Sequence, residues 1–161
     1  MENPILRRTA IRKYTDEAVS TEDVEQLVAA FQAAPCGMHE AAVMQACVVT
    51  KPKLAKRVEE AIGGAGYGAP VLFLISTKHG SPFGERDASA AAENVMIQAA
   101  DLGLGSVYVM SGALRLNDSP ALKQELGIDD GFDTVVLVAI GHPGEAGKNE
   151  DRSKRYKVVR N

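Results

Sequence analysis

Residues 71–76 read Val71-Leu72-Phe73-Leu74-Ile75-Ser76, an apolar run broken only at its last position. A strand with one wet face alternates apolar and polar side chains, so a continuous apolar run predicts a strand covered on both faces. Upstream, Gly63-Gly64-Ala65-Gly66-Tyr67-Gly68-Ala69-Pro70 cannot continue a helix and predicts an irregular, close-fitting loop. Downstream, a polar loop leads to Asp87, read as the cap of a helix running through Leu102 and ended by Gly103. Ala88, Ala90, Ala91, Ala92, Ala99 and Ala100 leave that helix little bulk, so other backbones can approach it closely. It belongs at the centre of the fold or at a subunit contact.

Other segments follow the same alternation. Ser20 and Thr21 suit an N-cap, with Glu22 and Asp23 in the first turn. Val24, Leu27, Val28 and Phe31 then form one apolar helical stripe, which Pro35 stops. Pro35-Cys36-Gly37-Met38-His39 reads as a loop and 46–50 as a short buried strand. Pro52 starts a helix carrying Leu54, Val58 and Ile62. Strands are predicted at 107–110 and 134–140, the latter closing at Gly141-His142-Pro143-Gly144. Between them, Ser119 and Pro120 open a short helix that Gly127 ends. Strands alternating with helices predict a mixed α and β fold around one sheet, a single domain over 1–161.

Composition excludes several classes. With 45% apolar and 24% charged residues over 161 positions, the chain can bury a sizeable core. A formal net charge of −3 offers no global attraction to nucleic acid or to an anionic membrane. No apolar run has the length of a membrane span, and Met1-Glu2-Asn3-Pro4 is too polar for a leader's apolar region. Cys36 and Cys47 make no CxxC pair, so a reducing compartment, the cytoplasm, is expected. Charge is unevenly placed. Arg7, Arg8, Arg12 and Lys13 cluster near the start, and Lys148, Arg152, Lys154, Arg155, Lys157 and Arg160 near the end. By itself this pattern reads first as two solvated, fraying ends, and second as two clusters that meet to grip one anion.

Familiar catalytic signatures are missing. There is no GxSxG elbow, phosphate-binding GxxxxGK[ST] loop, HExxH helix, or GxGxxG after a strand. Cys36 and His39 have CxxH spacing, but a structural zinc needs four ligands and only Cys47 and His79 could join, so no metal is expected. A Cys36 nucleophile with His39 as base rests on one loop alone. A chain built around glycine loops and arginines, without its own acid, base and nucleophile, points to a borrowed cofactor. The arginine fork suits a phosphate, because it donates paired hydrogen bonds and keeps its charge.

Several segments together resemble one family. Arg8-Thr9-Ala10-Ile11-Arg12-Lys13-Tyr14 is similar to the RRSIRKY opening of FMN-dependent nitroreductases, and Ala34-Pro35-Cys36-Gly37-Met38-His39 resembles their APSxxN loop. Tyr67-Gly68-Ala69-Pro70 before an apolar strand resembles the GAP strand of the small members. Asp87-Ala88-Ser89-Ala90-Ala91-Ala92-Glu93-Asn94 resembles their DxSAAxxN helix. Leu102-Gly103-Leu104-Gly105-Ser106 is similar to LGLGS, and Gly141-His142-Pro143 to a closing GYP. The matches run in order over nearly the whole chain. The resemblance implies an α+β, three-layer nitroreductase-like fold: a mostly antiparallel central sheet, helices on both faces, and an intertwined homodimer.

It also implies FMN at the subunit interface. NAD(P)H would reduce the flavin and leave, and a nitroaromatic, quinone or similar acceptor would then be reduced on the same face, with no nucleic acid or membrane partner. Arg8 would hold the FMN phosphate beside Thr9 and Ala10. Arg12 would face the pyrimidine edge, where positive charge favours the reduced flavin. Arg152, or alternatively Arg155, would reach the phosphate from the tail. Pro35, Cys36, Gly37 and His39 would reach the partner's flavin, and a turn at Met110, Ser111 and Gly112 would present backbone N–H groups to N5. No side chain is expected to act as an obligatory catalytic acid or base. Departures leave the substrate open: Ala10, Cys36 and His39 replace the family's serine, serine and asparagine. Glu40-Ala41-Ala42-Val43 stands where relatives carry QPW. The alternative is a flavin carrier or redox sensor without turnover; a module using the basic tail to touch nucleic acid ranks third, since only Tyr156 interleaves that tail with an aromatic.

Overall fold

The computed structural model of the chain describes residues 3–148 and 150–161; Met1 and Glu2, which open the stretch read against a leader, lie outside them. Four strands form one antiparallel sheet in the order β1-β2-β4-β3: β1 is Met44–Val49, β2 Val71–Lys78, β3 Gly105–Val109 and β4 Phe132–Gly141. The run at 71–76 sits centrally, between β1 and β4. Its alternate side chains enter two separate cores. Phe73 and Ile75 join Val136 and Val138 on one face, while Leu72 and Leu74 join Leu137 and Ala139 on the other. Both faces are therefore dry, which is why no polar alternation marks this strand.

Two helices cover the first face: α2 (Thr21–Gln32), through Leu27 and Phe31, and α4 (Gly84–Asp101), through Ala88, Ala91, Ala92, Val95 and Ala99. The second face is covered by α3 (Pro52–Ala61), α5 (Met110–Leu116) and α6 (Pro120–Glu125), through Val58, Ala113, Leu116 and Leu122. This is the three-layer α+β arrangement with helices on both faces. The alanine-rich helix is a core helix, since Ala88, Ala91, Ala92 and Ala99 are fully buried. Small side chains there let α4 approach the sheet closely.

Local signals account for most boundaries. The Ser20 hydroxyl accepts the Asp23 N–H at 3.0 Å, Pro52 and Pro120 occupy first turns, and Gly103 leaves α4 at φ +77°. Three readings are corrected. The long helix begins at Gly84, three residues before Asp87, because Ser81 Oγ accepts the Gly84 N–H at 3.1 Å. Asp87 is thus inside the first turn and its carboxylate is used elsewhere. Residues 110–112 form no turn; Met110, Ser111 and Gly112 open α5. A serine–glycine pair hides the helix signal, yet Gly112 is needed, since a Cβ there would stand 3.1 Å from both Ala65 and Leu137 side chains. The N-terminal basic segment is also not frayed: Asn3 caps a short helix α1 (Pro4–Arg7). Among the described residues no helix is long and apolar enough to cross a membrane, and no cluster of three metal-ligating side chains occurs.

Candidate functional site

Residues 10–15 are woven onto the sheet beyond its last strand. Ala10 bridges Ser106 of β3 in parallel and Tyr14 bridges Pro143 antiparallel. Ile11 donates its N–H to the Ser106 carbonyl at 3.0 Å, and Gly144 donates to that of Lys13 at 2.8 Å. Gly105 makes the first contact possible, since a Cβ would lie 2.8 Å from Ile11 Cβ. The Tyr14 hydroxyl sits between the Ile11 and Ala139 carbonyls at 2.7 and 3.0 Å. Burial pushes this phenol well up against the opposing charge of Arg12, so it stays a neutral donor. The segment carrying Arg8 and Arg12 is therefore rigidly placed.

The other end of the chain meets it. Arg152 Nη1 donates to the Arg8 carbonyl at 2.8 Å and Nη2 donates to that of Leu6. Glu145 Oε1 accepts the Arg12 N–H at 2.8 Å. Arg8, Arg12, Lys148, Arg152 and Arg155 consequently line one cleft of about 260 Å³, with Thr9, Ala10 and a single acid, Glu150. A neighbouring cleft of about 480 Å³ shares Arg8, Thr9 and Arg152 and continues past Gly105 and Ser106. Arg8 Nε lies 3.4 Å from Glu93 of α4, Arg7 reaches Asp101 at 3.3 Å, and Arg155 pairs with Glu150 at 2.9 Å. Two of the five N–H bonds of Arg152 serve backbone carbonyls, which leaves three. Five cations line this cleft, with Glu150 among them, Glu93 against Arg8 and Glu145 beside the Arg12 backbone, and the remaining positive excess suits an anion carrying more than one charge.

The loop at 35–39 is elsewhere. Both oxygens of the buried Asp87 carboxylate accept the Gly37 N–H, at 3.1 and 3.0 Å. The Phe83 ring closes over Gly37, with Cγ 2.5 Å from where a Cβ would be. Met38 and His39 follow at φ +53° and +60°, the left-handed region that side chains disfavour. Asp87 precedes Glu93, the partner of Arg8, by six residues of helix, about 9 Å along its axis. Within this chain Pro35, Cys36, Gly37 and His39 therefore do not line the basic cleft. Cys36 and His39 form no side-chain hydrogen bond among the described residues, which removes the support for a thiol–imidazole pair.

A sequence model of the Nitroreductase family matches residues 5–66 and 39–142. The chain is also 30% identical, over 146 residues, to an Archaeoglobus fulgidus protein provisionally named NADH dehydrogenase/NAD(P)H nitroreductase, covering 86% of this chain and 83% of that protein. The chain belongs to the nitroreductase family. Solved nitroreductases share its fold. A Bacteroides fragilis nitroreductase with bound FMN superposes at a TM-score of 0.86 with 22% identity, over 98% of this chain and 97% of that one. A Desulfitobacterium hafniense nitroreductase with bound FMN does so at 0.83 with 20% identity, over 99% and 100%.

In this nitroreductase fold, Arg8, Thr9, Ala10, Arg12, Arg152 and Arg155 come together, while Met110, Ser111 and Gly112 stand at the far end of β3. Gly112 packs against Ala65, two residues from Tyr67, whose ring centroid lies 6.0 Å from the Arg12 guanidinium carbon. The glycine loop is thus a wall shared by the start of α5 and by Arg12. Two residues near the site carry no functional signal in the sequence: Glu145 is one acid in a polar tail, and Tyr67 stands among glycines ahead of the GAP segment. Asp87 opens the DxSAAxxN segment and reads as a cap, but it serves the 35–39 loop instead.

Proposed function

We propose that this nitroreductase-family chain is an FMN-dependent oxidoreductase, one FMN-binding domain over 1–161 acting as a homodimer. NAD(P)H would be the reductant and a nitroaromatic, quinone or similar small molecule the acceptor. The observation that carries the reading is the cationic cleft assembled from both chain ends, Arg8 and Arg12 from one and Arg152 and Arg155 from the other. A flavin mononucleotide phosphate is the anion such a cleft fits, and relatives with this fold bind FMN.

In this reading Arg8 and either Arg152 or Arg155 hold the phosphate, with Thr9 and the Ala10 backbone beside it. Arg12 supplies positive charge to the ring edge, in the way a preorganised cation favours developing negative charge. The first-turn N–H groups of Met110, Ser111 and Gly112, unpaired within α5, are available as donors. Bound FMN would supply the two-electron redox chemistry, which the side chains present do not. The chain's residues bind, orient and stabilise; none serves as an obligatory proton donor.

A dimer is supported by apolar side chains left exposed: Ile5 and Leu6 on α1, Met110 and Leu114 on α5, and Tyr156, Val158 and Val159 in the tail. It would also bring Cys36 and His39 of one protomer to the flavin of the other. The test is reconstitution with FMN, followed by the visible spectrum, sedimentation, and NADH or NADPH oxidation with nitrofurazone or menadione. A yellow dimer that consumes reductant supports the proposal. A colourless protein that takes up no FMN ends it, and FMN uptake without turnover leaves a carrier.

A further inference from the structure

The loop between α3 and β2 contains a residue whose backbone is held where its side chain type is rarely found. Tyr67 has φ +58°, in the left-handed region that bulky residues avoid and glycine or asparagine accept. Glu59 of α3 keeps it there. Its Oε2 accepts the Gly66 N–H and its Oε1 accepts the Gly68 N–H, both at 3.0 Å, so one carboxylate clamps the backbone on either side of the tyrosine. The fit is tight on that side: a Cβ at Gly66 would strike Glu59 Oε2 and come within 2.9 Å of Leu72 Cδ2. A loop that merely joined α3 to β2 has no use for an aromatic ring at a position of this geometry.

The ring's contact supplies the use. It remains 42% exposed, and its centroid lies 6.0 Å from the Arg12 guanidinium carbon, at the outer limit of a cation–π contact. Glu145 fixes the backbone of Arg12 through its N–H, but the guanidinium enters no salt bridge among the described residues. The tyrosine ring is therefore the neighbour that can orient the charged head, and it would do so without consuming an N–H. A carboxylate in the same place would cancel the charge that the ring leaves intact.

We infer that Tyr67 is a positioning residue for Arg12, braced by Glu59, and that it tunes the relative affinity of the site for reduced and oxidised flavin. The inference rests on the FMN reading proposed above. A guanidinium held at one point favours the more negative, reduced form, whereas a guanidinium free to swing into water is screened.

The experiment measures the midpoint potential of protein-bound FMN, whose shift from that of free FMN gives the reduced-to-oxidised affinity ratio, and the dissociation constant of oxidised FMN, which then gives that of the reduced form. The proteins are wild type, Tyr67→Phe, Tyr67→Asn, Arg12→Ala and the Arg12→Ala/Tyr67→Asn double variant. Asparagine tolerates the left-handed backbone, so Tyr67→Asn removes the ring with little strain. The ratio is expected to fall about two- to five-fold in Tyr67→Asn, the size of an exposed cation–π contact. It should stay at the wild-type value in Tyr67→Phe, which keeps the ring. In the Arg12→Ala background the second substitution should change nothing further. If Tyr67→Asn does not fold, Glu59→Gln, which cannot accept both N–H groups, should give a smaller fall in the same direction.

An unchanged ratio in the ring-less variant overturns the inference, as does an equal fall when Arg12 is already absent. Both outcomes leave FMN binding standing. Failure of the wild-type protein to take up FMN instead overturns the functional proposal, and this inference with it.

Discussion

Arg152 donates a 2.8 Å hydrogen bond to the carbonyl of Arg8, a residue 144 positions away in the chain. The contact strands two arginines side by side, which their mutual repulsion would otherwise oppose. It is tolerated because Arg152 spends its donors on neutral carbonyls while Arg8 leans toward Glu93. The cleft between them is left with unspent cationic N–H groups.

The first prediction concerns that pair. Arg8→Ala should weaken FMN binding by about 1.5–3 kcal/mol, the range for a hydrogen bond to a charged group, as read by flavin fluorescence titration. Arg152→Ala should cost less affinity but release the tail, so that trypsin cuts faster within 154–160. Equal affinity in wild type and the Arg8 variant would remove Arg8 from the site.

Asp87 is predicted to matter for the 35–39 loop. In Asp87→Ala the half-buried Gly37 N–H loses its charged acceptor, and urea unfolding should show a loss of about 1–3 kcal/mol. Asp87→Asn keeps an acceptor oxygen and should lose less. Gly37→Ala should also destabilise, by about 1–3 kcal/mol, because the added methyl meets the Phe83 ring. A fully stable Asp87→Ala protein would contradict the clamp.

The alanine-rich helix offers a test of packing. Ala92 is fully buried against the sheet, so Ala92→Leu should destabilise by about 1–3 kcal/mol through overpacking. Thermal unfolding measures it. An unchanged melting temperature would place this face of α4 away from the core.

Acid should weaken one surface cluster. The hydrogen bond from Lys123 holds the Asp133 carboxyl below the usual aspartate range, with the charges of Lys123 and His79 adding to it. A lowered folded-state pKa gives stability that is complete above the unfolded value, about 3.9, and is lost as pH falls through the folded one. Asp133 is nearly half exposed, so screening holds this contribution to roughly 0.2–1 kcal/mol. The gap in urea midpoint between wild type and Asp133→Asn should therefore shrink between neutral pH and about pH 3. A constant gap would mean that the ionised carboxylate contributes nothing.

Much of the fold was legible along the chain because its causes are local or periodic. The run at 71–76, the Ser20 cap, the prolines at 52 and 120 and the glycines at 103 and 127 each act within a turn or two of themselves. They determined four strands, most helices and a central sheet covered on both faces. The ordered motifs around Arg8, Gly105 and Gly141 determined the family.

Tertiary structure decided the rest, because the deciding partner is distant in sequence. Whether the two basic ends fray or meet depends on Arg152 finding carbonyls near Arg8. Asp87 serves as a loop clamp instead of a cap only because Gly37 lies opposite, 50 positions earlier. The helix at 110–116 forms because Ala113 and Leu116 find the second core, although Ser111 and Gly112 argue locally for a turn. A carboxylate at Glu59 and a guanidinium at Arg12 make a site feature of Tyr67. Periodicity reports which face of an element is dry; it carries no record of which polar group will stand across from another once the layers close.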